Sequence, residues 1–261
     1  MCSMTSYSRS KINNLVTGSS RGAVLTTTYL RGLGLSYELI RFYEKTAWLD
    51  SLGYGAYKLH NDQVGWVGAL CAMREQLKLH IHIGGKSALE LQGYGHFVGP
   101  SMRNLFLFGE NQEKLPLWFT KYHWGIGVQY SRASLFSSPV EGSLTTHEKN
   151  GLSVAMASPE RAIMEMLNFV PKKQSFSEAT LIFESLTALR PQLVQSLLEA
   201  CTSIKVKRIF LWMAEKNNYP WFRKLDTAKV ALGAGNRVVV EGGVLDTKYL
   251  ITVPHDDPTH R

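Results

Sequence analysis

Cysteine is scarce: there are three in 261 residues. Cys2, Cys71 and Cys201 stand far apart and are odd in number, which argues against a disulfide framework and against a cysteine metal site and leaves buried or incidental thiols. No run of about 18 apolar residues exists to span a bilayer. The opening MCSMTSYSRSKINN lacks the apolar core of a signal peptide, so the expected compartment is the cytoplasm and no membrane partner is expected. Nucleophile and acid–base signatures are missing too: there is no GxSxG, no Cys/His pair at useful spacing and no pair of carboxylates in an apolar setting. No catalytic residue, metal-ligand set or cofactor is therefore nominated. Repeats and low-complexity tracts are also absent. What remains is an apolar share of 44% and a charged share of 19%, the composition of a folded protein with one large or two ordinary domains.

The charge that is present leans one way. A net charge of +8 favours a polyanionic partner, although such a surplus also occurs in proteins that bind none. It is concentrated in residues 1–60, where seven bases (Arg9, Lys11, Arg21, Arg31, Arg41, Lys45, Lys58) face three acids (Glu38, Glu44, Asp50).

That basic segment contains AVLTTTYLRGLGLSYELIRFYEKTAWLDSLGYGAYKLH, residues 23–60. A short helix over 11–16 precedes it. The Thr26-Thr27-Thr28 run offers a hydroxyl cap for a helix carrying Tyr29, Leu30 and Arg31. Gly32 and Gly34 permit a tight turn, and Ser36 caps a second helix with Leu39, Ile40, Phe42 and Tyr43 on its apolar face. Trp48-Leu49 and Ala56-Tyr57 fit two strands around Gly53-Tyr54-Gly55. Helix, turn, helix and a two-stranded wing form the outline of a winged helix-turn-helix. In such a domain the second helix enters the major groove, about 12 Å wide, and its N-terminal exposed residues meet base edges. Ser36, Tyr37 and Arg41 are the candidates for bases, Arg41 first because a guanidinium pairs with guanine in bidentate fashion. Lys45, Arg31, Thr28, Tyr54 and Lys58 are the candidates for phosphate. An ordinary helical pair with solvated charges fits the same pattern.

The reading of the whole chain is α+β: an N-terminal winged helix-turn-helix over 1–62, then a larger mixed α/β C-terminal domain over 63–261, with a β-rich part (63–156) and a mostly helical part (157–261). Helices are expected over 65–76, 88–91 and 116–122, and strands over 77–83, 104–108, 127–134, 144–148 and 152–156. Ser158-Pro159-Glu160 joins a cap, a first-position proline and an acid at the positive end of a helix dipole. Further helices are expected over 177–186, 191–201 and 203–217. A hairpin of 238–241 with 248–253 around Gly242-Gly243 closes the fold, and the tail after Pro254 is expected to be loose.

Several stretches imitate catalytic motifs. Gly85-Lys86-Ser87 follows a strand and opens a helix as a P-loop does, but the glycine required five residues earlier is His80. The alternative is a plain strand-to-helix turn. His80 and His82 share a face of the expected strand, with His96 and His123 elsewhere, yet lack metal-site spacing. Asp246-Thr247-Lys248, with Glu241 and Asp226 upstream, has the acid-x-lysine form of some metal-dependent nucleases, and a hairpin turn explains it equally. Lys205, Lys207, Arg208, Lys216, Arg223 and Lys224, interleaved with Phe210, Trp212, Trp221 and Phe222, suit either a second nucleic-acid surface or an amphipathic helix with its rings in the core.

One family joins these pieces. Thr28-x-Leu30, Gly34-x-Ser36, Tyr43-x-Lys45, Trp48-Leu49 and Leu52-Gly53-x-Gly55-Ala56-Tyr57 resemble the N-terminal domain of AbiEi-type antitoxins of type IV toxin–antitoxin systems. The resemblance continues through His82-Ile83-Gly84-Gly85-Lys86-Ser87-Ala88-Leu89-Glu90-Leu91-Gln92-Gly93-Tyr94 and Ser158-Pro159-Glu160-Arg161-Ala162 to Tyr249-Leu250-Ile251-Thr252-Val253-Pro254. It departs at Ala47, where it leads one to expect glycine. The resemblance implies a transcriptional autorepressor whose winged helix binds repeated sites in the double-stranded DNA of its own operon promoter. It also implies that the C-terminal domain is the antitoxin domain and counters a nucleotidyltransferase-like toxin without a stable complex. No catalytic residue carries over. The alternatives are a nucleic-acid-processing enzyme, metal-dependent or nucleotide-using, with a winged-helix targeting domain, and a helix-turn-helix adaptor that binds protein.

Overall fold

Two helix starts in the N-terminal region are set by the hydroxyls expected to cap them. In a computed structural model describing residues 3–95, 102–132 and 134–255, with side chains from Lys11 onward, the hydroxyl of Thr26 accepts from Tyr29 N and that of Ser36 from Leu39 N, each at 3.2 Å. These contacts satisfy N–H groups that a helix cannot pair internally. The N-terminal elements are α1 (Ser3–Gly18), β1 (Leu25–Thr26), α2 (Thr27–Gly32), α3 (Tyr37–Lys45), β2 (Leu49–Gly53) and β3 (Ala56–Leu59). They are followed by α4 (Trp66–Glu75), β4 (His82–Ile83), α5 (Gly85–Leu91), β5 (Asn104–Phe108), α6 (Leu117–Lys121) and β6 (Gly127–Ser131). Next come β7 (Leu144–Lys149), β8 (Leu152–Ala157), α7 (Pro159–Asn168) and α8 (Phe176–Glu184). The last are α9 (Pro191–Ala200), α10 (Ile204–Lys216), β9 (Val244–Asp246) and β10 (Ile251–Val253). The architecture is the expected mixed one.

By its internal contacts the chain forms two compact units: Met1–His82 with Phe108–Arg132 and Thr146–Ala155, and Ile83–Leu107 with Ala133–Thr145 and Met156–Arg261. The first contains the winged helix. Its strands order as β1-β3-β2, all antiparallel, with Leu25 opposite Tyr57 and Leu49 opposite Leu59. Ile12, Leu15, Leu25, Leu30, Leu35, Ile40, Tyr43, Leu49 and Leu59 close one apolar core beneath them. β1 has only two residues, and Gln76 at the end of α4 completes its hydrogen bonding. Its side chain accepts from Thr26 N at 2.8 Å and donates to the Val24 carbonyl at 2.7 Å. On α4, a Cβ at position 68 would lie 1.9 Å from the Gly22 carbonyl oxygen, so only glycine allows this approach. β7 and β8 are sheet neighbours and turn at Asn150-Gly151, both with positive φ.

The second unit is built on α7, whose Ala162, Ile163, Met164, Met166 and Leu167 are buried against α5, α9 and α10. Pro159 occupies its first turn as expected, although the Ser158 hydroxyl makes no capping bond. Ile83 pairs in parallel with Met156. Arg208 is buried, and no carboxylate pairs with it among the described residues. Its guanidinium instead donates to the carbonyls of Leu232, Gly233, Gly235 and Leu250 at 2.6–3.2 Å, pinning the C-terminal segment to α10.

Several sequence expectations are corrected. The strand over 77–83 shrinks to His82–Ile83, because Lys78 takes φ +58° and breaks the extended run. The closing hairpin is β9 with β10, Val253 opposite Val244. Residues 238–241 are not a strand, and Gly242-Gly243 lead into β9 instead of forming the tip. Phe42 is 53% exposed, away from the apolar face of its helix. β1 was not expected at all. Cys2, His96 and the tail from Asp256 on lie outside the described residues.

Candidate nucleic-acid interface

α3 is amphipathic in the way a groove-binding helix must be. Ile40 and Tyr43 are buried in the core, while Tyr37, Glu38, Arg41, Glu44 and Lys45 are exposed. Its last turn closes with Trp48 N bonded to the Tyr43 carbonyl at 2.9 Å and Ala47 N to the Glu44 carbonyl at 3.2 Å, and Ala47 sits at φ +55°. This is a Schellman ending, in which the left-handed residue is ordinarily glycine.

At the other end of α3, Ser36 is occupied as the cap, and the Glu38 carboxyl is held below its usual range, first by its own main-chain N–H and then by the Ser36 hydroxyl. Arg31, at the end of α2, reaches over the Tyr37 ring with its guanidinium carbon 4.6 Å from the centroid and Nη1 3.3 Å from the phenol oxygen. Thr28 is exposed on α2. The helix-turn-helix thus presents Thr28, Arg31, Ser36, Tyr37, Arg41 and Lys45 at its surface.

The wing is short. Gly53 and Gly55 take φ +130° and +83°, and Tyr54 between them is 97% exposed. Thr27 N bonds to the Gly55 carbonyl at 2.9 Å, which ties the tip of the wing to the start of α2. Lys58 is less available than its neighbours, since its ammonium donates to the Asp62 carbonyl at 2.7 Å and pairs with Asp50 at 3.2 Å. His60 Nδ1 lies 2.8 Å from the same Asp50, whose carboxyl is held low chiefly by that imidazole and then by Lys58. Phe42 and Trp48, 53% and 47% exposed, were not singled out from the sequence as surface residues; their exposure depends on which side of α3 the core occupies.

The motif look-alikes are committed internally. Gly85 N, the first N–H of α5, donates to Glu165 Oε2 at 3.1 Å, so a buried carboxylate occupies the place a phosphate takes in a P-loop. Lys86 pairs with Glu178 and Glu90, and Ser87 Oγ donates to the Asn104 carbonyl while accepting from Phe106 N. Lys248 pairs with Glu215, and Asp246 accepts from Tyr249 N at 2.8 Å, as a turn explains.

His82 is buried against the Phe108 ring, whereas His80 and His123 are exposed, with His80 3.3 Å from Glu113. No three His, Cys, Asp or Glu side chains are placed to hold a metal ion among the described residues. The basic–aromatic segment resolves toward core packing. Lys207 and Arg208 are buried, Lys205 bonds to the Asn168 carbonyl, and Phe210 and Trp221 pack with Phe183. No helix among the described residues is long and apolar enough to cross a membrane.

Two family models match the chain in succession. One described as "Transcriptional regulator, AbiEi antitoxin N-terminal domain" covers residues 8–99, and one described as "Transcriptional regulator, AbiEi antitoxin, Type IV TA system" covers 102–254. Among solved structures, that of the RV2827C protein from Mycobacterium tuberculosis is similar with a TM-score of 0.58 and 14% identity, over 93% of this chain and 90% of that one. At that identity the likeness is one of fold. No curated protein matches the chain.

Proposed function

The chain belongs to the AbiEi antitoxin transcriptional regulators of type IV toxin–antitoxin systems, and from that premise we propose that it is a non-enzymatic DNA-binding autorepressor and antitoxin of the cytoplasm. Residues 1–62 serve as the module that addresses it to repeated sites in its own operon promoter. Residues 63–261 carry the activity that counters a nucleotidyltransferase-like toxin without a stable complex. The observation that carries the DNA half is the winged-helix order α1-β1-α2-α3-β2-β3 with an exposed Thr28, Arg31, Tyr37, Arg41 and Lys45 face.

In this proposal α3 enters the major groove, with Arg41, Tyr37 and Ser36 at base edges. Arg31, Lys45 and Thr28 meet phosphate beside it, and the wing residues Tyr54 and Lys58 meet it across the groove rim. Lys58 is the weakest contact of the set, because Asp50 already neutralises it in part. The non-enzymatic reading is supported by the pairing of Lys86 with Glu178 and of Lys248 with Glu215, the two lysines on which an enzymatic reading would rest.

Labelled duplex from upstream of the operon, titrated at physiological salt beside a shuffled duplex of equal length, tests the proposal. Specific binding is expected to exceed non-specific binding by at least about a thousandfold. Equal affinity for the two duplexes would remove the repressor half.

A further inference from the structure

The first unit carries a concave surface that lies outside the helix-turn-helix. α6, β6 and their flanks enclose an open groove of about 610 Å³ lined by Lys114, Phe119, Tyr122, Trp124, Tyr130 and Arg132, among others. Its aromatic wall is held in place. The Trp124 ring stacks on Phe119 at 5.4 Å, its indole N–H donates to the Phe119 carbonyl at 2.7 Å, and Tyr122 lies 4.5 Å from it. Tyr122 and Trp124 remain half-exposed, whereas Lys114 and Arg132 are exposed at the rim.

Among the described residues no carboxylate lines this groove. The adjacent acid, Glu113, has both carboxylate oxygens engaged, by His80 N at 2.6 Å and Glu110 N at 3.1 Å, while its carbonyl accepts the Tyr130 hydroxyl at 3.2 Å. α6 also packs on β2 of the wing: a Cβ at Gly53 would lie 3.2 Å from the Cβ of Trp118. The groove is thus carried on the same framework as the wing.

Fixed π faces beside two cations, with no anion among the lining residues, complement a flat base joined to a phosphate. A paired duplex keeps its base faces stacked, so the ligand must offer an open one. We infer that this groove binds the nucleobase–phosphate unit of single-stranded nucleic acid, the base stacking on Tyr122 and Trp124 and the phosphate meeting Lys114 and Arg132. This goes beyond the duplex reading and does not depend on it.

The test is fluorescence anisotropy of labelled oligo-dT and oligo-U, about ten nucleotides long, with the full chain, its Lys114→Glu/Arg132→Glu variant and its Tyr122→Ala variant. Each variant is expected to weaken strand binding about tenfold or more while leaving promoter-duplex affinity within about twofold. A UMP titration distinguishes the source of the ligand: displacement only far above the strand's own Kd assigns the groove to a strand, displacement near or below that Kd assigns it to free nucleotide, and no displacement at any concentration contradicts base–phosphate recognition. No binding by the unaltered protein, or unchanged binding by both variants, overturns the inference, as does parallel loss of duplex and strand binding. Ultraviolet crosslinking of a 5-iodouracil oligomer supplies an independent readout. A crosslink at Tyr122 or Trp124 supports the groove, and one at Tyr37 or Tyr54 contradicts it.

Discussion

The guanidinium of Arg31 lies over the ring of Tyr37, 4.6 Å from its centroid, and so joins the last turn of α2 to the first residue of α3. Both residues are exposed, so the contact costs little desolvation and leaves the outer edge of the guanidinium open to an anion. In the proposed DNA complex this contact would order the Arg31 cation, assigned there to phosphate, before DNA arrives. Ordering a side chain in advance lowers the cost of binding.

Within the protein Tyr37→Phe keeps the ring and loses only the 3.3 Å contact with the phenol oxygen, so a fall in promoter affinity beyond about threefold would report the hydroxyl's proposed base contact. Tyr37→Ala releases Arg31 and is expected to lower affinity about tenfold. In an Arg31→Ala background the Tyr37→Ala loss should shrink, giving a coupling of about 0.5–1 kcal/mol in a double-mutant cycle. Strict additivity would show that the pair does not act together.

Ala47 holds a left-handed conformation at the end of α3 that glycine adopts without a Cβ clash. Ala47→Gly should stabilise the protein by roughly 0.5–1 kcal/mol, the relief of strain exceeding the added freedom of the unfolded chain. Urea unfolding measures this, and a loss of stability would show that the strain is relieved elsewhere.

At the look-alike phosphate loop, Glu165→Ala removes the carboxylate acceptor of Gly85 N and of Arg161 Nε and is expected to cost roughly 2–4 kcal/mol in urea unfolding. Lys86→Ala, at a pair about a quarter exposed, should cost about 1 kcal/mol or less. Neither should alter ATP turnover, which is expected to be nil. Turnover abolished by Lys86→Ala would contradict the non-enzymatic reading.

Glu160, at the start of α7, is opposed by burial but held below its usual range by Arg190, whose Nε and Nη2 donate to its two oxygens at 2.9 Å. A depressed folded value contributes stability above the unfolded carboxyl range, near pH 4.3, and that stability is lost as pH falls through the folded value. Arg190→Met removes the guanidinium's share of that depression, so burial weighs more heavily on the carboxyl, although the main-chain N–H groups of residues 190 and 160 still favour its charged form. Its expected cost at neutral pH is roughly 1–3 kcal/mol, moderated because Arg190 is 57% exposed. Acid unfolding followed by circular dichroism should move to higher pH. An unmoved midpoint would show that Glu160 does not govern it.

Local chemistry was legible in the sequence and partnership across the chain was not. Thr26, Ser36 and Pro159 act within a few residues of their own position, and so do the glycines around Tyr54, so the winged helix could be outlined in advance. β1 escaped because two residues show no alternation, and it exists only through β3 and Gln76, which lies 50 residues from Thr26. Glu165 and Glu178 are 80 and 92 residues from the loop they neutralise, so Gly85-Lys86-Ser87 kept its phosphate-loop appearance until the fold brought them together. Of the candidate DNA contacts, Lys58 is the one whose surroundings the sequence could not suggest, because its pairing with Asp50 depends on the register of β2 against β3.

The central claim is that α3 reads base sequence, and Arg41 tests it most directly. Promoter variants changed one base pair at a time are titrated with the unaltered protein and with Arg41→Ala across a salt series. The unaltered protein should show a slope of log K against log salt of about −4 to −5. Arg41→Ala should erase roughly 1–3 kcal/mol of discrimination at one base pair, leaving the others intact. Uniform weakening at every base pair, with no change in preference, would make Arg41 a phosphate contact and contradict the reading of α3 as the recognition helix.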